Sequence, residues 1–191
     1  SQGIHIPHPK GYYGSSIALG GLDLTAIDIA SLYLNLANNG ALTDIKYLKE
    51  SRPAKIVKSK TELIQFGMSP SSSVMVKDML RKNPRPNGKS TAGIAEQKGH
   101  VYWKTGTSFG FRDAWAVGIW GDMVILTWVG DFIPKSNPYL VGSHMAGPLM
   151  FKFVDYFRNK GEYDFNDDLK HEYATNITKV KVCSSSGHLP G

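Results

Sequence analysis

His100-Val101-Tyr102-Trp103-Lys104-Thr105-Gly106-Thr107-Ser108 runs directly into Phe109-Gly110-Phe111-Arg112-Asp113-Ala114-Trp115-Ala116-Val117-Gly118. The first part is rich in β-branched and aromatic residues, which predicts a strand. Lys104 is the only charge on it and stands directly before a Thr-Gly-Thr-Ser run. Such a strand can aim an ammonium, hydroxyls and backbone N–H groups at one small anionic ligand. Gly106 has no Cβ, so a ligand can approach the backbone closely there. Taken alone, Lys-Thr-Gly reads rather as an edge strand ending in a polar turn, because three residues recur by chance.

Reading outward, Arg112–Trp120 and Met123–Asp131 are apolar at nearly every position and meet at Gly121-Asp122, which predicts a β-hairpin. Strands this apolar are expected to be covered on both faces. The apolar window Ala114–Ile133 is long enough to suggest a membrane span. Gly121-Asp122 at its middle argues against that, because a charge at the bilayer centre is costly.

Helices are expected on either side. Thr25 to Asn38 opens with a capping-box pattern, Thr25 with Asp28, and stops at Asn38-Asn39-Gly40. Asp28, Ser31, Asn35 and Asn38 form one narrow polar stripe on an otherwise apolar helix, so it is expected to be buried. The stripe is read as satisfying its own hydrogen bonds. Ser69-Pro70 opens a second helix whose packing face is read as Val74, Met75, Val76, Met79 and Leu80. Ser143 opens a last one, with Met145, Leu149, Met150, Phe153, Val154 and Phe157 as its face and a bend at Gly147-Pro148. Residues 1–22 read as loop. Residues 41–68 read as small strands and loops, with short alternating pieces such as Ala54-Lys55-Ile56-Val57.

The fold class is therefore α+β, an antiparallel sheet flanked by helices. At 191 residues, 41% apolar and 20% charged, the chain is sized for one domain with a tail. The net charge of +6 is modest, and no Lys/Arg run alternates with aromatics, so no nucleic acid partner is expected. The single cysteine, Cys183, excludes an internal disulfide framework. His5 and His8 are three apart, but the prolines around them oppose a helix and no third ligand completes a site, so no metal is expected. Gly88-Lys89-Ser90 lacks the earlier glycine of a phosphate loop, since position 83 is Asn.

Trp103-Lys104-Thr105-Gly106-Thr107-Ser108 with Arg112-Asp113-Ala114-Trp115 resembles the third active-site motif of the penicillin-binding proteins and serine β-lactamases. The downstream Phe-Arg-Asp-Ala-Trp is most similar to class A penicillin-binding proteins of the 1C type. Tyr13 to Gly21 and the first helix resemble the segment just after the family's second motif, in the family's order. On this likeness, residues 1–160 are the C-terminal portion of a transpeptidase-like domain. Residues 161–191 are a linker and the start of an appended C-terminal β-domain, with Ile177–Cys183 alternating as its first strand.

The resemblance implies D,D-transpeptidation of peptidoglycan, an acyl transfer through a serine ester with no cofactor. Lys104 would bring positive charge to the substrate's terminal carboxylate. Thr105 and Thr107 would bind that carboxylate by their hydroxyls, Gly106 would leave room for the peptide, and the Thr107 N–H would serve the oxyanion hole. Ser108, Arg112 and Asp113 would be supporting structure. The implied partners are peptidoglycan stem peptides, β-lactams and the upstream part of the same polypeptide. The implied place is periplasmic or otherwise extracytoplasmic, with anchoring through sequence outside this chain.

The sequence departs from the family pattern in one respect: no serine is followed three residues later by lysine, and no Ser-x-Asn occurs. Thr43-x-x-Lys46 lacks the apolar helix start that the motif opens. The nucleophile is therefore expected outside this chain, which would supply one wall of the site and be inactive alone. Two alternatives stand beside this reading: a non-catalytic peptide- or β-lactam-binding module of the same fold, and an α+β domain with a chance Lys-Thr-Gly.

Overall fold

The computed structural model describes residues 6–9, 11–41, 68–86, 99–133, 135–161, 177–178 and 180–189. In chain order it contains a 3₁₀ helix at Gly14–Leu19, then α1 (Ala26–Ala37), α2 (Pro70–Arg81), β1 (Tyr102–Thr107), β2 (Asp113–Trp120), β3 (Met123–Gly130) and α3 (Ala146–Lys160). The three strands form one antiparallel sheet in the order β1-β2-β3. The 3₁₀ turn corrects the loop reading of residues 1–22. The expectations for 42–67, including Ala54–Val57 and Thr43/Lys46, lie outside the described residues, as do Gly88-Lys89-Ser90 and the linker 162–176.

The hairpin turns where expected. Trp120 pairs with Met123 across Gly121-Asp122. Gly121 has φ 58 and Asp122 is not at positive φ, which fits a II′ turn with glycine first. β2 lies in the middle and is covered from both sides. Alternation along it sends Ala114, Ala116 and Trp120 to a core shared with Trp103, Met150, Phe151 and Val154 of β1 and α3. Ile119 faces the opposite way, into a second core with Tyr102 and Leu36, against which Tyr33, Val76 and Leu80 pack. So α3 covers one face of the sheet, and α1 and α2 cover the other.

Small residues on β2 bring α3 close. A Cβ on Gly118 would sit 3.1 Å from Trp103 Cβ and 3.2 Å from Met150 Sδ. The buried Thr127 hydroxyl donates to Ala146 O at 2.8 Å, fixing the start of α3 on β3. Trp103 meets Phe151 edge to face at 5.0 Å.

Both N-caps are as read. Thr25 Oγ1 accepts from Asp28 N while the Asp28 carboxylate accepts from Thr25 N, and Ser69 Oγ accepts from Ser72 N. The polar stripe of α1 does satisfy itself locally: Ser31 Oγ donates to Ile27 O at 2.8 Å and Asn35 Nδ2 to Gly40 O at 2.8 Å.

Three helix expectations need correction. First, α1 is mostly half-buried rather than buried: only Asn35 and Leu36 are fully covered, because it meets the sheet along one side. Second, α2 turns Ser73, Val74 and Lys77 inward and leaves Met75 and Met79 exposed. The buried Lys77 is tolerated because its Nζ donates to Asn39 Oδ1 at 3.0 Å. Third, α3 starts at Ala146 rather than Ser143. His144 N and Met145 N both turn back to Val141 O first. Pro148 then falls in the first turn, where its missing N–H breaks no helical bond, so the expected bend has no cause there. The buried face of α3 is Ala146, Gly147, Met150, Phe151 and Val154, with Leu149 and Phe153 partly exposed.

The described residues of the tail carry no strand. The alternation finds no ladder at 177–178 or 180–183, and a strand without a partner is not held. The tail closes a turn instead, with Cys183 N donating to His188 O and Gly187 N to Cys183 O. Hydrogen bonding from Ser186 lowers the exposed Cys183 thiol pKa to about 7.

Met150→Ala should cost about 2–5 kcal/mol in urea unfolding, and Met79→Ala should stay within about 0.5 kcal/mol, whereas the sequence-based faces would make the two similar. Iodoacetamide should alkylate Cys183 with a rate midpoint near pH 7. Ser186→Ala should move that midpoint upward, since the thiolate loses its donor.

Candidate active site

Among the described residues β1 is one of the sheet's two edge strands, and its register decides what that edge presents. Lys104 stands opposite Val117, Thr105 opposite Ala116, Gly106 opposite Trp115 and Thr107 opposite Ala114. One step further, Ser108 N donates to Asp113 O at 3.0 Å. Opposed residues of an antiparallel pair alternate between hydrogen-bonded and non-hydrogen-bonded, so Gly106 and Lys104 spend their backbone groups on β2. Trp103, Thr105 and Thr107 therefore point their N–H and C=O away from the sheet. Among the described residues, the Thr105 and Thr107 amides have no acceptor.

The outward carbonyls are partly used. Trp103 O accepts from Asn83 Nδ2 at 2.6 Å, and Trp103 Nε1 donates back to Asn83 O at 3.3 Å. Thr105 O accepts from Lys104 Nζ at 2.8 Å. The Lys104 side chain is exposed, so its ammonium curls over the edge of its own strand and keeps further N–H donors for a ligand.

The pleat divides the side chains. Tyr102, Lys104 and Gly106 lie on the α1/α2 face, and Trp103, Thr105 and Thr107 on the α3 face. Thr107 Oγ1 accepts from Gly142 N at 3.0 Å, which leaves its own O–H free to donate. Gly106 is exposed, and a Cβ there would meet only Trp115 Cβ at 3.7 Å, so the space above it is open.

Ser108 and Asp113 are supporting groups. Asp113 N donates to Ser108 Oγ at 2.8 Å, and Asp113 Oδ1 accepts from Trp128 Nε1 at 3.0 Å. Phe111 is held at φ 54, with its carbonyl taken by Asn137 N at 3.0 Å, so loop 137–145 is anchored to the end of β1. Arg112 is exposed beside it.

Two contributors escaped the sequence reading. Gly142 fits against β1 only because it has no side chain: a Cβ would lie 2.4 Å from Gly106 O and 2.9 Å from Trp115 O. Asn83 reaches β1 from the far end of α2. Neither carries a local signal, since each contact joins residues distant in sequence. Away from the strand, His8 stacks on Tyr12 at 3.9 Å and lies 3.7 Å from Asp23, while His5 is outside the described residues. Among the described residues, no group of three His, Cys, Asp or Glu is placed to hold a metal.

The chain that builds this three-stranded antiparallel sheet, with Lys-Thr-Gly-Thr on an exposed edge, matches a family model along most of its length. The penicillin-binding protein transpeptidase domain covers residues 3–152, and the chain belongs to that family. Its relatives place it in the transpeptidase region of class A penicillin-binding proteins. It is 30% identical to penicillin-binding protein 1A of Aquifex aeolicus over 163 residues, 81% of this chain and 21% of the relative. Over 137 residues it is 29% identical to penicillin-binding protein 1C of Escherichia coli, 71% and 16% respectively. Over 172 residues it is 28% identical to penicillin-binding protein 1A of Clostridium tetani, 86% and 21%. The chain thus spans about a fifth of the length of these curated relatives.

Gly142→Ala should cost about 1–3 kcal/mol in urea unfolding, because the atoms it would meet are backbone oxygens that cannot swing aside. A cost below about 0.5 kcal/mol would mean the loop sits further from β1 than these distances give.

Proposed function

We propose that this chain supplies the Lys-Thr-Gly wall of a penicillin-sensitive D,D-transpeptidase active site, with the serine nucleophile and second motif contributed from sequence outside it. The observation that carries this reading is the open stretch of β1 edge, where the Thr105 and Thr107 amides project beside the exposed Lys104 ammonium.

The chemistry is set by where those donors point. A stem peptide lying antiparallel along β1 brings its terminal carboxylate to the Lys104 ammonium and the Thr105 and Thr107 hydroxyls. The scissile carbonyl then faces the outward Thr107 N–H, which donates to the oxygen as negative charge develops in the tetrahedral intermediate. The incoming serine's hydroxyl oxygen bonds to the carbonyl carbon, and the terminal amino acid leaves with the proton. The acyl group of the resulting ester then passes to an acceptor amine, and the amine's proton ends on the freed serine oxygen. A β-lactam presents a carboxylate and a strained amide to the same donors. The contact from Gly142 N occupies an acceptor site of Thr107, so the hydroxyl proton is directed elsewhere and remains available to a carboxylate. Stem peptides, β-lactams, the upstream part of the polypeptide and an extracytoplasmic location all belong to this proposal. Among the described residues, no helix is long and apolar enough to cross a membrane.

Fluorescent penicillin separates the outcomes. The parent polypeptide should be labelled covalently and this chain alone should not. Lys104→Ala in the parent should slow acylation about 100-fold or more with the far-UV spectrum unchanged. Labelling of the isolated chain would place the nucleophile within it. An unlabelled parent that still binds penicillin reversibly would favour the non-catalytic binding module.

A further inference from the structure

At the far end of β1 from Thr107, the end of α2, the 82–86 loop and α3 line a small recess open to solvent. Trp103 and Phe151 form part of its wall, and Arg81, Arg85, His100 and Arg158 line it. Among the described residues the charges there do not balance. Asp155 serves both Arg85, by a direct hydrogen bond, and Arg158, whose Nη1 lies 4.0 Å away. Asp78 likewise serves both Arg81 at 2.7 Å and Lys82 at 2.8 Å. Among the described residues, the three arginines that line the recess therefore share these two carboxylates with Lys82, and no carboxylate is part of the lining, so the recess is net positive. The Arg158 side chain is nine-tenths buried, and its Nε–H has no acceptor among the described residues. Burial holds the Arg158 pKa below the usual arginine value.

The cationic groups are also held in place before any ligand arrives. Arg85 lies over the Phe151 ring at 4.5 Å and Arg158 over Trp120 at 5.6 Å. Pro84 and Pro86 flank Arg85. Asn83 is bonded twice to Trp103, and Pro86 packs on Gly147 so closely that a Cβ there would lie 3.0 Å from its ring. A loop fixed in this way orders little further on binding, which favours affinity.

We propose that this recess binds a phosphate group, either free phosphate or a phosphomonoester, or the phosphate of an anionic lipid headgroup. A phosphate monoester carries about −1.5 to −2 charges at neutral pH, more negative charge than a carboxylate brings to this net positive recess. Guanidinium donors suit its tetrahedral oxygens. This site is separate from the open edge at Thr105–Thr107, and it does not rest on the transpeptidase reading.

The test is thermal unfolding and calorimetric titration of the whole chain in low salt with inorganic phosphate, against acetate at matched ionic strength. Phosphate should bind saturably and raise Tm where acetate does not. Arg81→Gln and Arg85→Gln should each weaken binding about tenfold. Arg81 is half-buried in the last turn of α2, so its variant stays informative if Arg85→Gln loses the fold. A phosphate effect no larger than that of acetate, or one unchanged in Arg81→Gln, would overturn the proposal and leave the arginines as a tie between loop and helix. Flotation with phosphatidylglycerol vesicles distinguishes the sources. Retention competed by inorganic phosphate assigns a lipid headgroup, and no retention alongside saturable phosphate binding assigns the free anion or monoester.

Discussion

The phase of the β1–β2 ladder is the constraint on which the rest of the structure depends. It is set at the Ser108–Asp113 closure, where Ser108 N meets Asp113 O and Asp113 N returns to Ser108 Oγ. A slip of one residue would exchange the two faces of β1, carrying Trp103 out of the α3 core and turning the Thr105 and Thr107 amides inward. Burial holds the phase, because Trp103 and Tyr102 each fit only one of the two cores. The packing of the domain and the donors at its edge are therefore consequences of a single register.

The two faces of the sheet are built differently. On the α3 side, Ala114, Ala116 and Gly118 make β2 nearly smooth, and Met150, Phe151 and Val154 press onto it. On the α1/α2 side, burial is shared with polar groups that carry their own partners, such as Asn35 on Gly40 O and Lys77 on Asn39. Tyr33 belongs to this side, and burial raises its pKa to about 12, so its hydroxyl stays protonated across the physiological range. The polar stripe of α1 is thus part of how the helix sits on the sheet.

Local chemistry made much of this legible from sequence. Thr25 and Ser69 cap their helices through side chains three residues from their targets, and Gly121 turns the hairpin by a conformation glycine adopts readily. The Lys-Thr-Gly strand was legible for the same reason: its residue types, its glycine and the apolar hairpin after it are contiguous. Facts that depend on distant partners were not legible. Lys77 looks like a solvent residue until Asn39 is placed beside it, and Met79 looks like core until α2 is oriented. Ser143 looks like a helix cap, yet the amides of His144 and Met145 fold back onto Val141 O. Gly142 and Asn83 act on β1 across 35 and 20 residues of sequence, and no pattern around either one points there.

The pair of hydrogen bonds between Asn83 and Trp103 has a further consequence for solubility. An edge strand with unpaired amides is a template on which another chain can add and begin a growing sheet. Asn83 occupies the Trp103 carbonyl and Lys104 occupies that of Thr105, so the uncovered length runs only from Thr105 to Thr107, about 7 Å at the usual rise per residue. A short extended stub can seat there. A long foreign strand would have to dislodge Asn83 and bury a lysine charge, so the same two contacts that frame the edge also guard it against aggregation.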